Sequence, residues 1–304
     1  MKIAKSTQFL AWSLGVLLLS SPLACAQQII NPAQPSESYS IQTVLDELSQ
    51  ANVVYLGETH DNEADHAAQL QIIQALHHHN PQLAIGMEMF QRPFQTALDR
   101  YLAGDITEIE LRQQSQYDRR WSFPWLYYAP ILQFAKENQL PVLALNTPTE
   151  VTRRVAEKGL DALTEADYQW VPPLSEIHID NEAYRRFLRP IYEEFHQEGS
   201  SSEDFENFVA AQVLWDETMA DGIAEFLVTH PNYQVIVLAG QGHIVYGYGI
   251  PSRVARRLQG RNLVQRSLLL NPSADIRTER GIADYLWISF IRSMLKNNPP
   301  IFWG

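Results

Sequence analysis

Short, continuously apolar runs recur along the chain and alternate with longer segments whose apolar residues repeat every three or four positions. Runs of the first kind are typical of strands buried on both faces of a sheet, and segments of the second kind are typical of amphipathic helices. The runs predict five strands: Asn52–Leu56, Leu83–Met87, Val142–Leu145, Gln234–Leu238 and Leu263–Leu269. Their alternation with helices predicts an α/β fold with a mostly parallel sheet flanked by helices.

Helical segments fill the intervals between these strands. They are predicted at about residues 62–79, 93–102, 107–114, 125–138, 203–228 and 251–258. The stretches 92–138 and 149–228 together look like a large helical insertion on the sheet. A last amphipathic helix is expected from about Ile282 to Leu295. The predicted organisation is a leader over residues 1–26, an α/β domain over 40–275, and a C-terminal helix within 276–304 that packs on the domain.

The first 26 residues have the pattern of a secretory signal peptide. Lys2 and Lys5 precede an apolar stretch from Phe9 to Leu19, and small residues follow that stretch. The pattern predicts an exported protein of the periplasm or cell envelope.

Two cleavage sites fit the end of this leader. Ala24-Cys25-Ala26 fits cleavage before Gln27, whereas Leu23-Ala24-Cys25 resembles part of a bacterial lipoprotein box in which Cys25 would carry lipid. Pro22 stands where such boxes usually have Leu. Both a soluble form and a membrane-anchored form therefore stay open.

Composition narrows the chemistry that the chain can perform. The 304 residues include 23 Lys and Arg, 35 Asp and Glu, and one Cys, with a formal net charge of −12. Removing residues 1–26 takes away two Lys and no acid, which leaves a net charge of −14. Such a charge argues against a broad basic footprint for nucleic acid. One Cys excludes an intramolecular disulfide and Cys-rich zinc or iron–sulfur sites, so any metal would need His, carboxylate or Tyr ligands.

Polar residues follow four of the predicted strands where each strand ends. They are Glu58 with His60, then Glu88, Asn146 and His243. Because ligands bind outside the carboxyl ends of strands in open α/β sheets, these side chains are expected to converge. Two of the turns share the spacing G-x-x-H, at 57–60 and 240–243. Glycine permits a tight exit from the strand, and the His three residues later can face back over the sheet edge.

Two imidazoles with one or two carboxylates form a ligand set that suits Zn, Mn or Fe. The sequence therefore predicts His60, Glu88 and His243 as metal ligands. A lone His at a strand end is more often a polar cap. The repeated turn and a strand-end Glu, a residue that is rarely buried unpaired, favour a real site.

Several motifs resemble those of the ChaN family and fall in the same order. They are Gly57–Asp61 with His66 and Gln69, Gly86–Phe90, Ala144–Asn146, Trp215–Ala220 and Gly240–His243. The resemblance covers about residues 45–270. It implies an iron-regulated, haem-binding surface lipoprotein that pairs haems across a homodimer and serves iron acquisition. It also implies a site formed by Glu58, His60, Glu88 and His243, with Asn146 and Asp216 in support.

The wider group to which ChaN-like proteins are assigned implies a second possibility. It includes Tiki, TraB and erythromycin-esterase-type proteins, which share a pair of G-x-x-H motifs and a Glu around one site. Tiki-type members are described as metal-dependent proteases and the esterases as hydrolases. The two hypotheses for this chain are therefore haem binding and hydrolysis.

Under the haem hypothesis, the cofactor-binding residues are expected to be Tyr128, Asn146, Tyr246 and Asp216. Haem iron accepts an axial Tyr or His, and Tyr128, Tyr246 or Tyr248 would supply an oxygen. The aromatic segment 121–128 would contact the macrocycle. The side chains available to its propionates are Arg119, Arg120, Arg153 and Arg154. Each of these residues could instead be a core aromatic or a solvated surface charge.

Under the hydrolase hypothesis, the catalytic residues are expected to be Glu58, His60, Glu88 and His243. The histidines would bind a metal or polarise a carbonyl, and Glu58 or Glu88 would activate water. Asn146 would stabilise a developing oxyanion. Neither H-E-x-x-H nor G-x-S-x-G occurs in the chain, so zincin and serine-hydrolase chemistry are not indicated. A variant without metal, in which His and Glu activate water directly, stays open.

Other polar residues have supporting or structural interpretations. His66 lies one turn into the first predicted helix, close to the His60 turn, where it could support the site. Asp216 interrupts an apolar helix stripe, so it needs a partner if it is buried. His77, His78 and His79 end a predicted helix, where the helix dipole favours them without any metal.

Overall fold

Seven strands form one sheet in the computed structural model, which describes residues 26–34, 37, 39–195 and 202–290. They are β1 (Ala26–Ile30), β2 (Val53–Glu58), β3 (Leu83–Gln91), β4 (Val142–Asn146), β5 (Gln234–Gly240), β6 (Gln265–Leu270) and β7 (Tyr285–Phe290). Their order is β1-β7-β6-β2-β5-β3-β4. All neighbouring pairs are parallel except β1 with β7, which is antiparallel.

Ten helices are present in the described part of the chain. They are α1 (Ile41–Leu48), α2 (Glu63–His79), α3 (Gln95–Ala103), α4 (Glu108–Gln114), α5 (Tyr117–Arg120), α6 (Trp125–Glu137), α7 (Thr149–Lys158), α8 (Glu182–Phe195), α9 (Ser202–Thr229) and α10 (Ile250–Arg257). Helix α2, which follows the first G-x-x-H turn, begins at the cap Asn62, whose side chain accepts from the Ala64 N–H. Among the described residues, no helix is long and apolar enough to cross a bilayer.

Helices cover both faces of the sheet because successive strand side chains point to opposite sides. Val54 and Leu56 of β2 enter one core, which α1, α2, α3 and α6 complete. Val53 and Tyr55 enter the other core, against α9 and α10. Because both faces are covered, β2, β3 and β5 are buried along their whole length. The two covering layers leave the carboxyl edge of the central strands as the place where polar side chains can meet solvent.

A third apolar cluster lies outside the two main cores. It is formed by residues of α7, α8 and the first half of α9, including Val155, Leu188 and Val213. Helix α9 therefore covers the sheet with its second half and supports a helical subassembly with its first. This subassembly is part of the predicted helical insertion, and it carries residues that reach the site.

The sequence predictions of the fold class and of the five strands are confirmed, with strand ends displaced by one to four residues. The helix predicted from Ile282 to Leu295 is wrong over the residues described, because Tyr285–Phe290 is strand β7. Tyr285, Leu286, Trp287 and Ile288 are all buried, so this segment has no polar stripe to expose. A short apolar run fits a strand between two neighbours as well as it fits a helix, and periodicity does not separate the two.

Strand β1 was also absent from the prediction, and with β7 it carries the sheet beyond the expected limits of residues 40–275. It begins at Ala26, the last residue of the predicted leader. Residues 1–25, including Cys25, and residues 291–304 of the predicted C-terminal helix lie outside the described residues.

Candidate functional site

Glu58 ends β2 as a buried carboxylate with three hydrogen-bond partners. The Tyr128 hydroxyl donates to its Oε1 at 2.6 Å, and the Gln69 amide donates to its Oε2 at 2.6 Å. The third partner is Nδ1 of His60, 2.8 Å from Oε1. A buried carboxylate is stable when its oxygens are satisfied in this way. Glu58 therefore fixes the orientation of the His60 ring.

His60 is the more accessible histidine of the site, with a side chain that is 25% exposed. Its ring packs against Trp121 and Phe123, each with a centroid distance of 4.9 Å. His66 supports the same turn from beneath, since its Nε2 lies 3.0 Å from the His60 carbonyl oxygen. Trp121 and Phe123, which are both half-buried, thus form an aromatic wall against the His60 ring.

Asp65 holds the turn before His60. The backbone N–H of Thr59 donates to Asp65 Oδ2 at 2.7 Å, and the Asn271 amide donates to Oδ1 at 2.6 Å. Burial raises the pKa of Asp65 to about 7, and the negative charges of Glu58 and Asp61 act in the same direction, against these two hydrogen bonds. The first turn of α2 is therefore tied both to the site and to the loop after β6.

Glu88 of β3 lies between the two G-x-x-H turns. Its Oε2 accepts the Gly240 N–H at 2.7 Å, and its Oε1 lies 3.5 Å from Nε2 of His243. Gly240 is required here because a Cβ at this position would lie 2.9 Å from His60 Nε2. The missing side chain lets the His60 ring come against the end of β5, and so brings both histidines next to Glu88.

His243 is buried and has a second carboxylate partner, Asp216 of α9. The distance between His243 Nδ1 and Asp216 Oδ1 is 2.8 Å. The Tyr184 hydroxyl of α8 donates to Asp216 Oδ2 at 2.7 Å, and Arg253 of α10 lies 3.9 Å from the same oxygen. Each histidine of the site therefore has a buried carboxylate at Nδ1, and each carboxylate accepts from a buried tyrosine.

The charges of this cluster depend on one another. Burial alone would lower the pKa of His243, but attraction to Glu88 and the contact with Asp216 raise it to about 10. Burial alone would raise the pKa of Glu88, but attraction to His243 and to His60 lowers it to about 2. At neutral pH, His243 and Glu88 are a buried cation and anion. The pKa of His60 is raised as well, because Glu58 and Glu88 outweigh burial and the repulsion from His243.

Asn146 lies at the same edge, at the end of β4. Its amide donates to the Glu88 carbonyl oxygen at 2.8 Å, and its buried Oδ1 has no hydrogen-bond partner among the described residues. The indole Nε1 of Trp121 is likewise buried without a partner there. Buried polar atoms of this kind are uncommon and frequently mark functional positions.

The structure brings together Glu58, His60, Glu88, Asn146, Asp216 and His243, as the sequence predicts. Within the described ranges, no group of three or more His, Cys, Asp and Glu side chains is arranged to hold a metal ion. The ring nitrogens of His60 and His243 contact carboxylates there. The metal site at His60, Glu88 and His243 stays a prediction.

Two of the tyrosines predicted to bind the cofactor have different surroundings. Tyr128 is fully buried and donates to Glu58, so its oxygen is not available as an axial ligand. Tyr246 lies three residues beyond His243 with a φ of 56°, its ring stacks on Tyr248 with centroids 5.2 Å apart, and its contact with a cofactor stays a prediction. Of the predicted arginines, Arg120 pairs with Glu150 and Arg154 with Asp167. Arg119 and Arg153 are exposed.

A family model described as "Haem-binding uptake, Tiki superfamily, ChaN" matches residues 44–254. This range is more than half of the chain and contains every residue of the site. The protein belongs to the ChaN family.

ChaN of Campylobacter jejuni, in a structure described as showing cofacial haem binding, has the same fold with a TM-score of 0.69. It is 19% identical and is covered over 96% of its length by 86% of this chain. RETICULATA-RELATED 5 of Arabidopsis thaliana, a chloroplastic protein, is 26% identical over 278 residues. This ChaN-family chain spans 36% of that plant relative's length. The erythromycin esterase EreC, at 14% identity with a TM-score of 0.44, is a more distant likeness.

Three residues that position the ChaN-family site carry little signal in the sequence. Tyr184 and Arg253 lie on amphipathic helices where each looks like an ordinary stripe residue, and 32 residues separate Tyr184 from Asp216. Asp65 looks like a favourable first-turn acid of α2. The sequence indicates only that a buried Asp216 and the His60 turn need partners, without showing which residues these are.

Proposed function

We propose that the protein binds haem at the His60 edge of the sheet, as an exported haem- or iron-binding protein of the cell envelope that serves iron acquisition. Membership of the ChaN family and the cofacial haem described for the Campylobacter relative support this function. The observation that carries it is the environment of His60, which combines a fixed imidazole with an aromatic wall.

The donor set fits a haem iron. Imidazole nitrogen is a common axial ligand, and a ligating histidine almost always gives its other ring N–H to a carboxylate or carbonyl. Glu58 already holds Nδ1 of His60 at 2.8 Å, so the ring nitrogen left to ligate iron is Nε2, which lies beside Gly240 at the end of β5. Haem would supply the iron and the flat apolar ring. The chain would supply the imidazole and the ring contacts.

The surface near His60 fits a flat apolar ligand. Trp121, Phe123 and Tyr127 are half-buried, and Leu126 beside them is 80% exposed. The cavity of about 430 Å³ beside β7 and the groove of about 600 Å³ beside β4 are lined by other residues. Haem would therefore lie against the wall with one face open. A second copy of the chain could cover that face, which supports a homodimer in the haem-bound state.

A haemin titration tests the proposal. Mature protein from residue 27 onwards should give a saturable Soret shift at one haemin per chain, and His60→Ala should lose it. His78→Ala is the matched control, because His78 is exposed on α2 away from the site. A shift that survives His60→Ala unchanged would assign the haem ligand elsewhere, and no saturable shift in the native protein would reject haem binding.

Hydrolysis is the second candidate, favoured by the two carboxylate–histidine pairs around Glu88. A general base works best when its pKa lies near the working pH. The pKa of Glu88 is too low and that of His243 too high for this task, whereas His60 departs less from its ordinary value. We therefore assign His60 the role of base and His243 that of a fixed cation that holds Glu88 and Asp216 in place.

Ester hydrolysis tests this second candidate. With p-nitrophenyl acetate as substrate, the native protein should hydrolyse the ester faster than buffer alone, with the pH profile of an imidazole base. The rate should fall in His60→Gln. Equal rates for native protein, His60→Gln and Glu88→Gln would reject catalysis at this site.

A further inference from the structure

Strand β4 lies at one end of the sheet, so only one side of its backbone pairs with a neighbouring strand. On that side, its register with β3 places Val142 opposite Ile85 and Ala144 opposite Met87. The free side of an edge strand presents N–H and C=O groups that can pair with another chain, and natural proteins usually cover them. The groups that cover the outer side of β4 therefore decide whether the sheet can accept a further strand.

The side chain of Gln95, the first residue of α3, covers this outer side. Its amide nitrogen donates to the Val142 carbonyl at 2.7 Å, and its amide oxygen accepts the Ala144 N–H at 2.7 Å. In a parallel sheet, one residue of the neighbouring strand makes the same two contacts, one through its N–H and one through its C=O. The Gln95 carboxamide therefore occupies the place of one residue of a further parallel strand.

A groove of about 600 Å³ runs beside this edge, and we call it the β4 groove. Its floor is the strand segment Pro141–Leu145, and its walls are the first turns of α3 and the second half of α9. The half-buried side chains of Leu143, Trp170 and Phe226 line it. The floor is about 13 Å long at about 3.3 Å per residue, which matches a short extended peptide.

The open charges of the β4 groove are acidic. Arg92 is already neutralised, because its guanidinium lies 2.8 Å from the carboxylates of both Asp221 and Glu225. Asp99 is exposed and accepts from the Gln95 amide, and among the described residues no Lys or Arg pairs with it. One guanidinium against three carboxylates leaves an excess of negative charge. Charge complementarity therefore favours a partner that carries Lys or Arg.

We infer that the β4 groove binds an extended, basic peptide segment of a partner protein as a further parallel strand, once the Gln95 side chain has turned away from the edge. Strand addition takes its affinity from main-chain hydrogen bonds and its specificity from alternate side chains. Val142 and Ala144 supply the main-chain groups, and Asp99 and Glu225 meet the basic side chains. The inference goes beyond haem binding and does not rest on it, because the groove shares no residue with the candidate site.

A peptide titration with the native protein tests this inference. The probe is a short fluorescein-labelled peptide of alternating valine and threonine with a lysine at each end, and fluorescence anisotropy measures its binding. We expect saturable binding, which should become several-fold tighter in Gln95→Ala because the peptide no longer competes with the carboxamide. Gln133→Ala is the matched control, since Gln133 is exposed on α6 and bonds only to Glu137, and it should leave the affinity unchanged.

Charge reversal tests the acidic rim. Asp99→Lys should weaken the peptide several-fold and reduce the salt dependence of its binding. Asp46→Lys makes the same change of charge on α1, beside β7 at the other end of the sheet, and should have no such effect. Equal losses in the two variants would mean that the peptide responds only to net charge, which would overturn the assignment to this groove.

Peptides with single N-methylated amides test the strand pairing without altering the protein. Alternate N–H groups of an added strand face β4, so methylation at every second position should weaken binding while methylation between them should not. Equal effects at all positions, or no saturable binding to Gln95→Ala, would overturn the inference. A Gln95→Ala protein that dimerises and excludes the peptide would also overturn it, with a second copy of the chain as the occupant. The haemin titration is independent of all these outcomes.

Discussion

The two G-x-x-H turns have the same spacing and the same strand context, yet their histidines differ in almost every physical respect. His60 is partly exposed and packs on Trp121 and Phe123. His243 is buried between Glu88 and Asp216, and its pKa is raised to about 10. One turn leaves its imidazole partly exposed to solvent, and the other holds a positive charge inside the protein.

The residues that contact Glu58 and Asp216 differ in charge in the same way. Glu58 accepts from Tyr128 and Gln69, which are neutral donors, whereas Asp216 accepts from Tyr184 and has the Arg253 guanidinium within 3.9 Å. A repeated motif therefore establishes the position of each histidine but not its charge. The charge follows from burial and from carboxylates on other elements.

Removing the buried cation should have the largest effect. His243→Gln leaves Glu88 buried without its charge partner, and breaking a buried ion pair costs about 3–5 kcal/mol. In His60→Gln, Glu58 keeps two donors, so the loss should be about 1 kcal/mol. Urea unfolding at pH 7 measures both. Equal losses would show that the two histidines are structurally equivalent.

The buried tyrosines give a matched pair of smaller changes. Tyr128→Phe and Tyr184→Phe each remove one hydrogen bond to a buried carboxylate, which is worth about 1.5–3 kcal/mol. Tyr128→Phe should also shift the Soret band of the haem complex, because Glu58 contacts the proposed ligand, whereas Tyr184→Phe should leave that band in place. Shifts in both variants would mean that the second pair also contacts haem.

Substitutions of the two carboxylates, Glu58 and Asp216, should have different effects on haemin affinity. Glu58→Gln removes the partner that orients His60, and loss of such a partner typically weakens ligation about 10–100-fold. Asp216→Asn alters His243 instead and should change haemin affinity much less. Competition of the two variants for haemin against a protein of known affinity measures the difference. An equal loss in the two variants would argue against His60 as the ligand.

Much of this arrangement was readable from the sequence, because strand-end residues of a parallel sheet must share one edge. That rule places Glu58, His60, Glu88, Asn146 and His243 together. It does not reveal which histidine is buried, since that depends on α9 and α10 packing over the second turn. The sequence predicts the Tyr128 hydroxyl as a haem ligand for the same reason. Its burial depends on how α6 packs against α2, which the local pattern does not show.

The edge strands show a different limit. Segments 26–30 and 285–290 are short, and β1 joins the sheet only through β7, which lies between β1 and β6. Local pattern does not record such long-range pairing, which is why the second segment resembled part of a helix.

The last prediction, and the most selective, is the dependence of stability on pH. The pKa of His243 is about 10 in the folded protein and near its ordinary value of 6.5 when unfolded, so above 6.5 the folded state binds the extra proton. Its contribution is fully present below pH 6.5 and is lost as pH rises to 10, at about 1.4 kcal/mol per pH unit. Asp65 titrates near pH 7 and acts in the same direction only below that value.

Between pH 7.5 and 9.5, the change of the unfolding free energy with pH therefore reports on the histidines and not on Asp65. The native protein should lose stability steadily across this range, and His243→Gln should lose most of that slope. His60→Gln should keep it, because the pKa of His60 is raised less than that of His243. If the slope survived in His243→Gln, the buried charge would not be on that residue. The two turns would then differ in exposure but not in electrostatic role.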